Sequence, residues 1–339
     1  VTVAGLLESL PGAQRRLLAD APSGAELAAH PMLAVLTDRR DFDRDWIFER
    51  KLDGVRALAV RDGDHATLLS RTGRSMAGTY PEIVDALAAQ GCRDFVVDGE
   101  VVAFSGGRTE FSRLQQRMGI TDPEQARASS VAVTYYVFDL LRLDGQDLTR
   151  LPLRTRKSLL RRALRFVSPL RFTPHRNQGG PAELADACER GWEGLIAKRA
   201  DGPYVPRRSG DWLKLKCARG QEFVIGGWTE PAGSRVGFGA LLLGYHANGT
   251  LRYAGKVGTG YDRTTLHRIR GLLDEREQTR SPFGDPVRER GAHWVRPELV
   301  AEVGFTEWTR DGMLRHPRFL GLRDDKQPAE VVREEPRAA

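Results

Sequence analysis

Cysteine is scarce in this chain, with three among 339 residues, and no two of them form a Cys-x-x-Cys ligand pair. Cys92, Cys188 and Cys217 therefore argue against structural zinc and offer no disulfide framework, a usage expected of a reducing compartment. Long apolar runs are missing as well. None approaches the ~20 residues that a membrane helix needs, and Val1 to Leu10 lack the length and basic flank of a signal peptide. A phosphate loop is also absent. Gly255-Lys256-Val257-Gly258-Thr259-Gly260 has Val after its Gly-Lys, and residue 250, where the first glycine should stand, is Thr. A glycine-rich strand end is the better reading of that stretch.

What is present suits a packed, two-domain protein: hydrophobic residues make up 40% and charged residues 29%, enough for cores and too polar for a membrane. The net charge of +7 suits a polyanionic partner. Residues 1–30 carry short helical patterns and read as an arm. Residues 31–218 form a first domain and 219–339 a second, with the change of composition at Arg219-Gly220. Beyond it come short strands at Phe223 to Trp228, Ala240 to Tyr245, Leu251 to Val257 and Leu299 to Trp308, with an Asn248-Gly249 hairpin turn. One helix, Arg263 to Glu277, buries Leu266, Ile269, Leu272 and Leu273. That mixture suits an OB-fold barrel.

The chain is organised around Glu49-Arg50-Lys51-Leu52-Asp53-Gly54-Val55-Arg56, set between the apolar runs Trp46-Ile47-Phe48 and Ala57-Leu58-Ala59-Val60. It reads as two strands joined at Gly54, with Glu49 and Lys51 on one face. Taken alone it also reads as a surface hairpin with an ion pair. Further on, Asp98 and Glu100 share a face of the run Phe95 to Phe104, where a buried carboxylate needs a partner such as a metal, a ribose hydroxyl or a lysine; taken alone, the two also read as a salt-bridged interior pair. In the strand Tyr135 to Leu141, Tyr136 is expected in the core. In Trp212-Leu213-Lys214-Leu215-Lys216, alternation puts Trp212 and both lysines on one face; an anion between the lysines would relieve their repulsion. Nine basic residues from Arg150 to Arg176 alternate with leucines, reading as a helix whose arginines face water or a DNA backbone.

In this order, the pieces resemble the motifs of the ATP-dependent DNA ligases, and most of all the ligase module of bacterial end-joining ligases. Lys51-Leu52-Asp53-Gly54-Val55-Arg56 matches the nucleotidyl-acceptor motif. Ser70-Arg71-Thr72-Gly73, Asp98-Gly99-Glu100, Trp192 to Lys198, Trp212 to Lys216 and Arg323-Asp324-Asp325-Lys326 resemble the motifs that follow. The resemblance implies an α+β nucleotidyltransferase (adenylation) domain of antiparallel sheets with flanking helices, followed by the OB-fold barrel. It makes Lys51 the covalent nucleophile. Glu49 and Phe138 would hold adenine, and Arg71 would reach the ribose or the nicked strand. Glu100 and Glu193 would orient metal or ribose, and Arg56, Arg208, Lys214 and Lys216 would meet the phosphates. Arg323 and Lys326 would close over the triphosphate.

The implied cofactors are ATP and Mg2+, with Mn2+ as the alternative metal. The implied substrate is nicked or broken duplex DNA, and the further partners are the Ku end-binding protein or a separate repair polymerase. The expected form is a monomer in the bacterial cytoplasm at the nucleoid. An unperturbed lysine has a pKa near ~10.4, so only about one in 2,500 is neutral at pH 7; cationic neighbours would have to lower it. The same lysine chemistry leaves an RNA ligase or capping enzyme open. A non-catalytic OB-fold nucleic-acid-binding protein is the second alternative.

Overall fold

Twelve residues from Asp94 to Ser105 form the middle strand of the larger sheet, and from Phe95 to Ala103 every residue but the half-buried Glu100 is buried. The computed structural model describes residues 3–217, 220–231, 236–309 and 311–334, and the chain divides after Cys217 into two compact units. The expected boundary between residues 218 and 219 lies outside the described residues. Residues 3–30 belong to the first unit: Leu6, Leu7 and Leu10 enter its main core, and Ala19–Asp20 pairs with Gln146–Asp147 at the sheet edge.

The larger sheet runs in the order Ala19–Asp20, Gln146–Asp147, Val133–Leu143, Asp94–Ser105, Val55–Asp62, His65–Ser70. The smaller runs Leu33–Leu36, Arg208–Lys216, Gly194–Arg199, Trp46–Arg50. Both are mainly antiparallel, as expected, but Leu170–Phe172 and Leu33–Leu36 each add in parallel. Leu58, Val96, Phe138, Leu141, Tyr204 and Trp212 make the apolar layer in which strands of the two sheets meet.

Three expectations need correction. The strands on either side of Lys51 are not a hairpin: Trp46–Arg50 belongs to the smaller sheet and Val55–Asp62 to the larger. Residues 51–54 cross from one to the other, and a side chain at Gly54 would strike the Val101 carbonyl oxygen at 2.2 Å, so the crossing is pressed onto the middle strand. Tyr136 is half-exposed; it is Tyr135 that fills the core, donating its hydroxyl to the Ala57 carbonyl at 2.8 Å. Cys188 and Cys217 form a disulfide, with Cα atoms 5.3 Å apart. Helix Pro181–Glu189 packs on the smaller sheet and brings together two cysteines 29 positions apart in the chain.

The basic helix also departs from expectation. In Leu153–Ala163, Arg156 and Lys157 are buried while Arg154, Arg161 and Arg162 are exposed. Arg156 forms a bidentate pair with buried Asp139, at 2.7 and 2.9 Å.

In the second unit the strand order is Thr250–Val257, Leu241–Ala247, Gly220–Thr229, Ala292–Gly304, Glu277–Gln278, with Arg318–Leu322 also on Ala292–Gly304. This is the OB-fold unit. Asn248 and Gly249, with φ of 50° and 74°, make the left-handed turn a tight hairpin requires. Helix Arg263–Asp274 buries Leu266, Ile269 and Leu273, with Leu272 only partly covered. The expected strand from Leu299 to Trp308 breaks into Ala292–Gly304 and Glu307–Trp308.

Candidate active site

Register places the site. Across the smaller sheet, Glu49 stands opposite Ile196, and Ile196 opposite Lys214. One step along, the Lys51 amide donates to the Gly194 carbonyl at 2.9 Å, and Gly194 is opposite Lys216. Lys51 and Lys216 therefore flank a residue without a side chain, and Glu49 and Lys214 lie in the neighbouring row. On the larger sheet, Arg56 is opposite Glu100 and Glu100 opposite Tyr136, while Arg71 follows Ser70, the partner of Ala57.

Lys51 pairs with Glu193, and both remain partly exposed, at 18% and 23% of the side chain. Asp53 accepts from the Phe111 amide at 3.0 Å and so anchors the end of the crossing. Glu100, Lys214 and Lys216 are half-buried in their rows. Arg71 sits in a turn closed by Ser70 and Arg74, half-exposed. Arg208 is exposed and donates to the Ala34 carbonyl at 2.6 Å, at the start of its strand.

Glu49 is occupied by two cations. Lys157 reaches one carboxylate oxygen at 2.5 Å and Lys198 the other at 2.7 Å, and all three are at most 3% exposed. Burial raises the Glu49 pKa, and the two lysines outweigh that and hold it below its ordinary value. Lys198 is shifted down, by burial first, with Glu49 opposing. Asp98 finds its partner in Arg56, bidentate at 2.5 Å to each oxygen, and in the Tyr204 hydroxyl at 2.7 Å. The interior ion pair is therefore the reading that holds for Asp98, and Arg56 is committed to it. Phe138 is 8% exposed. Arg56 lies 4.8 Å and Lys198 4.1 Å from its ring centre, and Trp212 meets it edge-on at 5.9 Å.

In the OB-fold unit Arg323 is also committed, to Asp325 at 2.9 Å and Glu302 at 2.6 Å. Lys326 pairs with Glu222 at 2.9 Å and keeps 17% exposure.

Sequence reasoning missed Lys157 as a site residue and quoted Lys198 without a role. A signal for the first exists: Arg156 and Lys157 stand three and four residues after Leu153 and just before Leu160, on the apolar stripe of the helix. Lys198 follows Ile196 by two on a strand, which places it on the face of Glu49.

A lysine between sheets, flanked by two lysines and a carboxylate and followed by a barrel, defines a nucleotidyltransferase of the polynucleotide-joining type. A family profile described as "ATP dependent DNA ligase domain" matches residues 31–216, and one described as "ATP dependent DNA ligase C terminal region" matches residues 234–326. The multifunctional non-homologous end joining protein LigD of Pseudomonas aeruginosa is 40% identical over 301 residues, 86% of this chain and 35% of that protein. The chain thus spans about a third of such a relative. A probable DNA ligase of Streptomyces avermitilis is 33% identical, over 98% of this chain and 68% of that one. Among solved structures, a mycobacterial DNA ligase D complexed with ATP and MES is 36% identical with a TM-score of 0.62, covering 91% of this chain and 99% of that one. The chain belongs to the ATP-dependent DNA ligases.

Proposed function

We propose that this ligase seals nicks or breaks in duplex DNA through a lysyl-AMP intermediate on Lys51, and that it serves end-joining repair. The observation that supports the reading is the row Lys51–Gly194–Lys216, in which Lys51 and Lys216 stand on either side of a residue without a side chain, where an anion could meet both. In the first step Nζ of Lys51, having lost its proton, attacks the α-phosphorus of ATP. A P–N bond forms and the bond to the leaving pyrophosphate breaks. The adenylyl group then passes to a DNA 5′-phosphate, releasing the lysine, and the adjacent 3′-hydroxyl displaces AMP.

Glu193, which pairs with Lys51, would take or hold its proton. Lys214 and Lys216 offset phosphate charge. Arg71 serves the ribose or the nicked strand, and Arg208 is an additional phosphate contact. Adenine would lie against Phe138. Glu49 would meet it only in competition with Lys157 and Lys198, so its larger role is to fix those two cations. Lys326 is the barrel's phosphate contact when the barrel closes for the first step; Arg323, held by two carboxylates, shapes the turn that carries it.

Among the described residues no group of three or more His, Cys, Asp or Glu could hold a metal. Magnesium typically uses one or two carboxylates and takes its remaining ligands from phosphate and water, which fits Glu100 and Glu193 as the donors. Bound there on the triphosphate, Mg2+, or Mn2+ in its place, would supply charge neutralisation at the phosphates. The Ku end-binding protein or a separate repair polymerase would be the partners in end joining, and the protein would work as a monomer in the bacterial cytoplasm at the nucleoid. Among the described residues no helix is long and apolar enough to cross a membrane.

The test is incubation with ATP labelled in its α-phosphate, followed by nicked DNA and nicked RNA. Label should move to the protein and sealed DNA should accumulate. Sealing of RNA alone, or no labelled protein, would overturn the reading.

A further inference from the structure

From residue 148 to residue 182 the chain has no Asp or Glu, yet it carries nine Lys or Arg. Two of the nine, Arg156 and Lys157, are buried against Asp139 and Glu49. The other seven are exposed arginines with no carboxylate of their own segment to neutralise them. Within this segment lies a cavity of about 520 Å³ lined by Arg161, Phe166, Arg171, Phe172 and His175, together with Leu164 and Pro174. That volume falls in the range of roughly 300–1,000 Å³ that encloses small ligands. The two rings meet edge-on at 5.6 Å, and the Arg161 guanidinium lies 5.9 Å from the centre of Phe172. His175 brings a ring whose Nδ1 is buried with no hydrogen-bond partner among the described residues. Burial, then the charge of Lys157, favours the neutral imidazole, which adds a hydrogen-bonding edge rather than a further cation. None of this is used by the lysine chemistry.

We infer that this cavity holds single-stranded nucleic acid, one base against Phe166 and Phe172 and the adjoining phosphates on Arg161 and Arg171. Arginines around aromatic walls are the combination by which proteins hold unpaired strands without regard to sequence: the cations follow the backbone and the rings take a base. Five further exposed arginines of the same segment, Arg150, Arg154, Arg162, Arg165 and Arg176, are not in the cavity lining, and this surplus of positive charge favours a polyanion over a compact ligand. The inference deepens the ligase reading and rests on it: the DNA presented for sealing would carry an unpaired strand, as a frayed or overhanging end does.

The experiment measures anisotropy of a labelled 16-nucleotide oligothymidine with the full chain at several salt concentrations. It compares wild type, the double variant Arg161→Ala/Arg171→Ala and the double variant Arg161→Lys/Arg171→Lys. Adduct formation from ATP is followed on the same samples. With ~0.7 of salt slope per phosphate contact on single strands, losing two contacts should lower the slope of log affinity against log salt by about 1.4 and weaken binding about tenfold. The lysine variant should recover most of it, and adduct formation should be unchanged in both. If the alanine pair fails to fold, Arg171→Gln alone decides, with an expected slope change of about 0.7. Equal affinity and slope in wild type and variants overturn the inference. So does competition by poly-glutamate as effective as that by oligothymidine, which would assign the surface to an acidic protein segment. Failure of the wild type to form an adduct would instead sink the lysine reading, leaving the binding result to stand by itself.

Discussion

Two lysine–glutamate clusters lie within a few residues of each other and are built in opposite ways. Glu49 is sealed from water and held by two lysines, Lys157 and Lys198. Lys51 and Glu193 pair where both still meet solvent. A buried carboxylate surrounded by two cations is costly to disturb, because removing one member strands the others in a medium that cannot solvate them. A half-exposed pair can open at little cost, since water replaces the lost partner. The difference teaches which charges are frame and which are available for chemistry. The OB-fold unit repeats the contrast with buried Arg323 and the more exposed Lys326.

Breaking the frame should have the largest effect. Glu49→Gln leaves Lys157 and Lys198 without their carboxylate and is expected to lower stability by about 3–5 kcal/mol, read from urea unfolding; a change below ~1 kcal/mol would show that the cluster is not frame. The barrel offers a smaller version of the same comparison. Arg323→Ala should destabilise the OB-fold unit by about 3 kcal/mol, whereas Lys326→Ala should cost no more than ~1 kcal/mol and still slow adduct formation. If both variants are equally stable and equally slow, Arg323 meets the phosphates as well.

The disulfide comes next, because it ties the helix behind the smaller sheet to the end of the strand that carries Lys214 and Lys216. Closing a loop of this separation is worth about 3.6 kcal/mol on the loop-entropy relation. Cys188→Ser should lower the urea midpoint under oxidising conditions and change little in excess reductant; the same midpoint in both conditions would mean that the thiols are not joined.

Acid should act on both units, through Glu49 in one and Asp325 in the other. Burial raises the pKa of each, and neighbouring cations more than reverse it, Lys157 and Lys198 for Glu49 and Arg323 for Asp325. The native state therefore binds these protons less readily than the unfolded chain. The stabilisation is present above the ordinary carboxylate pKa, about 4.5 for Glu49 and 3.8 for Asp325, and is lost as pH falls through the lower native values. Glu49→Gln should flatten the acid limb of the stability curve for the first unit alone. An unaltered limb would show that other carboxylates set it.

Much of the fold was legible because its signals are local. Strand alternation placed Trp212, Lys214 and Lys216 on one face, and Asn248-Gly249 announced its hairpin. The misses are long-range. Nothing near Glu49 reveals that its cations come from residues 157 and 198, and nothing near Asp98 reveals Arg56 and Tyr204. The turn-like sequence at Gly54 looks the same whether the chain folds back or crosses to another sheet, since only the packing against Val101 decides it. The disulfide was hidden for a like reason: helix packing, not spacing, brings Cys188 to Cys217. In the basic segment the residue types suggested a wet face, and the helical period, which would have turned Arg156 and Lys157 inward, was the stronger signal.

The central claim is the proposal that Lys51 forms the bond to AMP, while Lys157 and Lys198 stay buried on Glu49. The direct measurement is to incubate the protein with ATP and magnesium, digest it, and locate the added AMP by mass spectrometry, in wild type and in Lys51→Ala. The account predicts AMP on Lys51 in the wild type, no adduct in the variant, and an unfolding midpoint that is the same in both. AMP on Lys157, Lys198, Lys214 or Lys216, or an adduct that survives in Lys51→Ala, would contradict it.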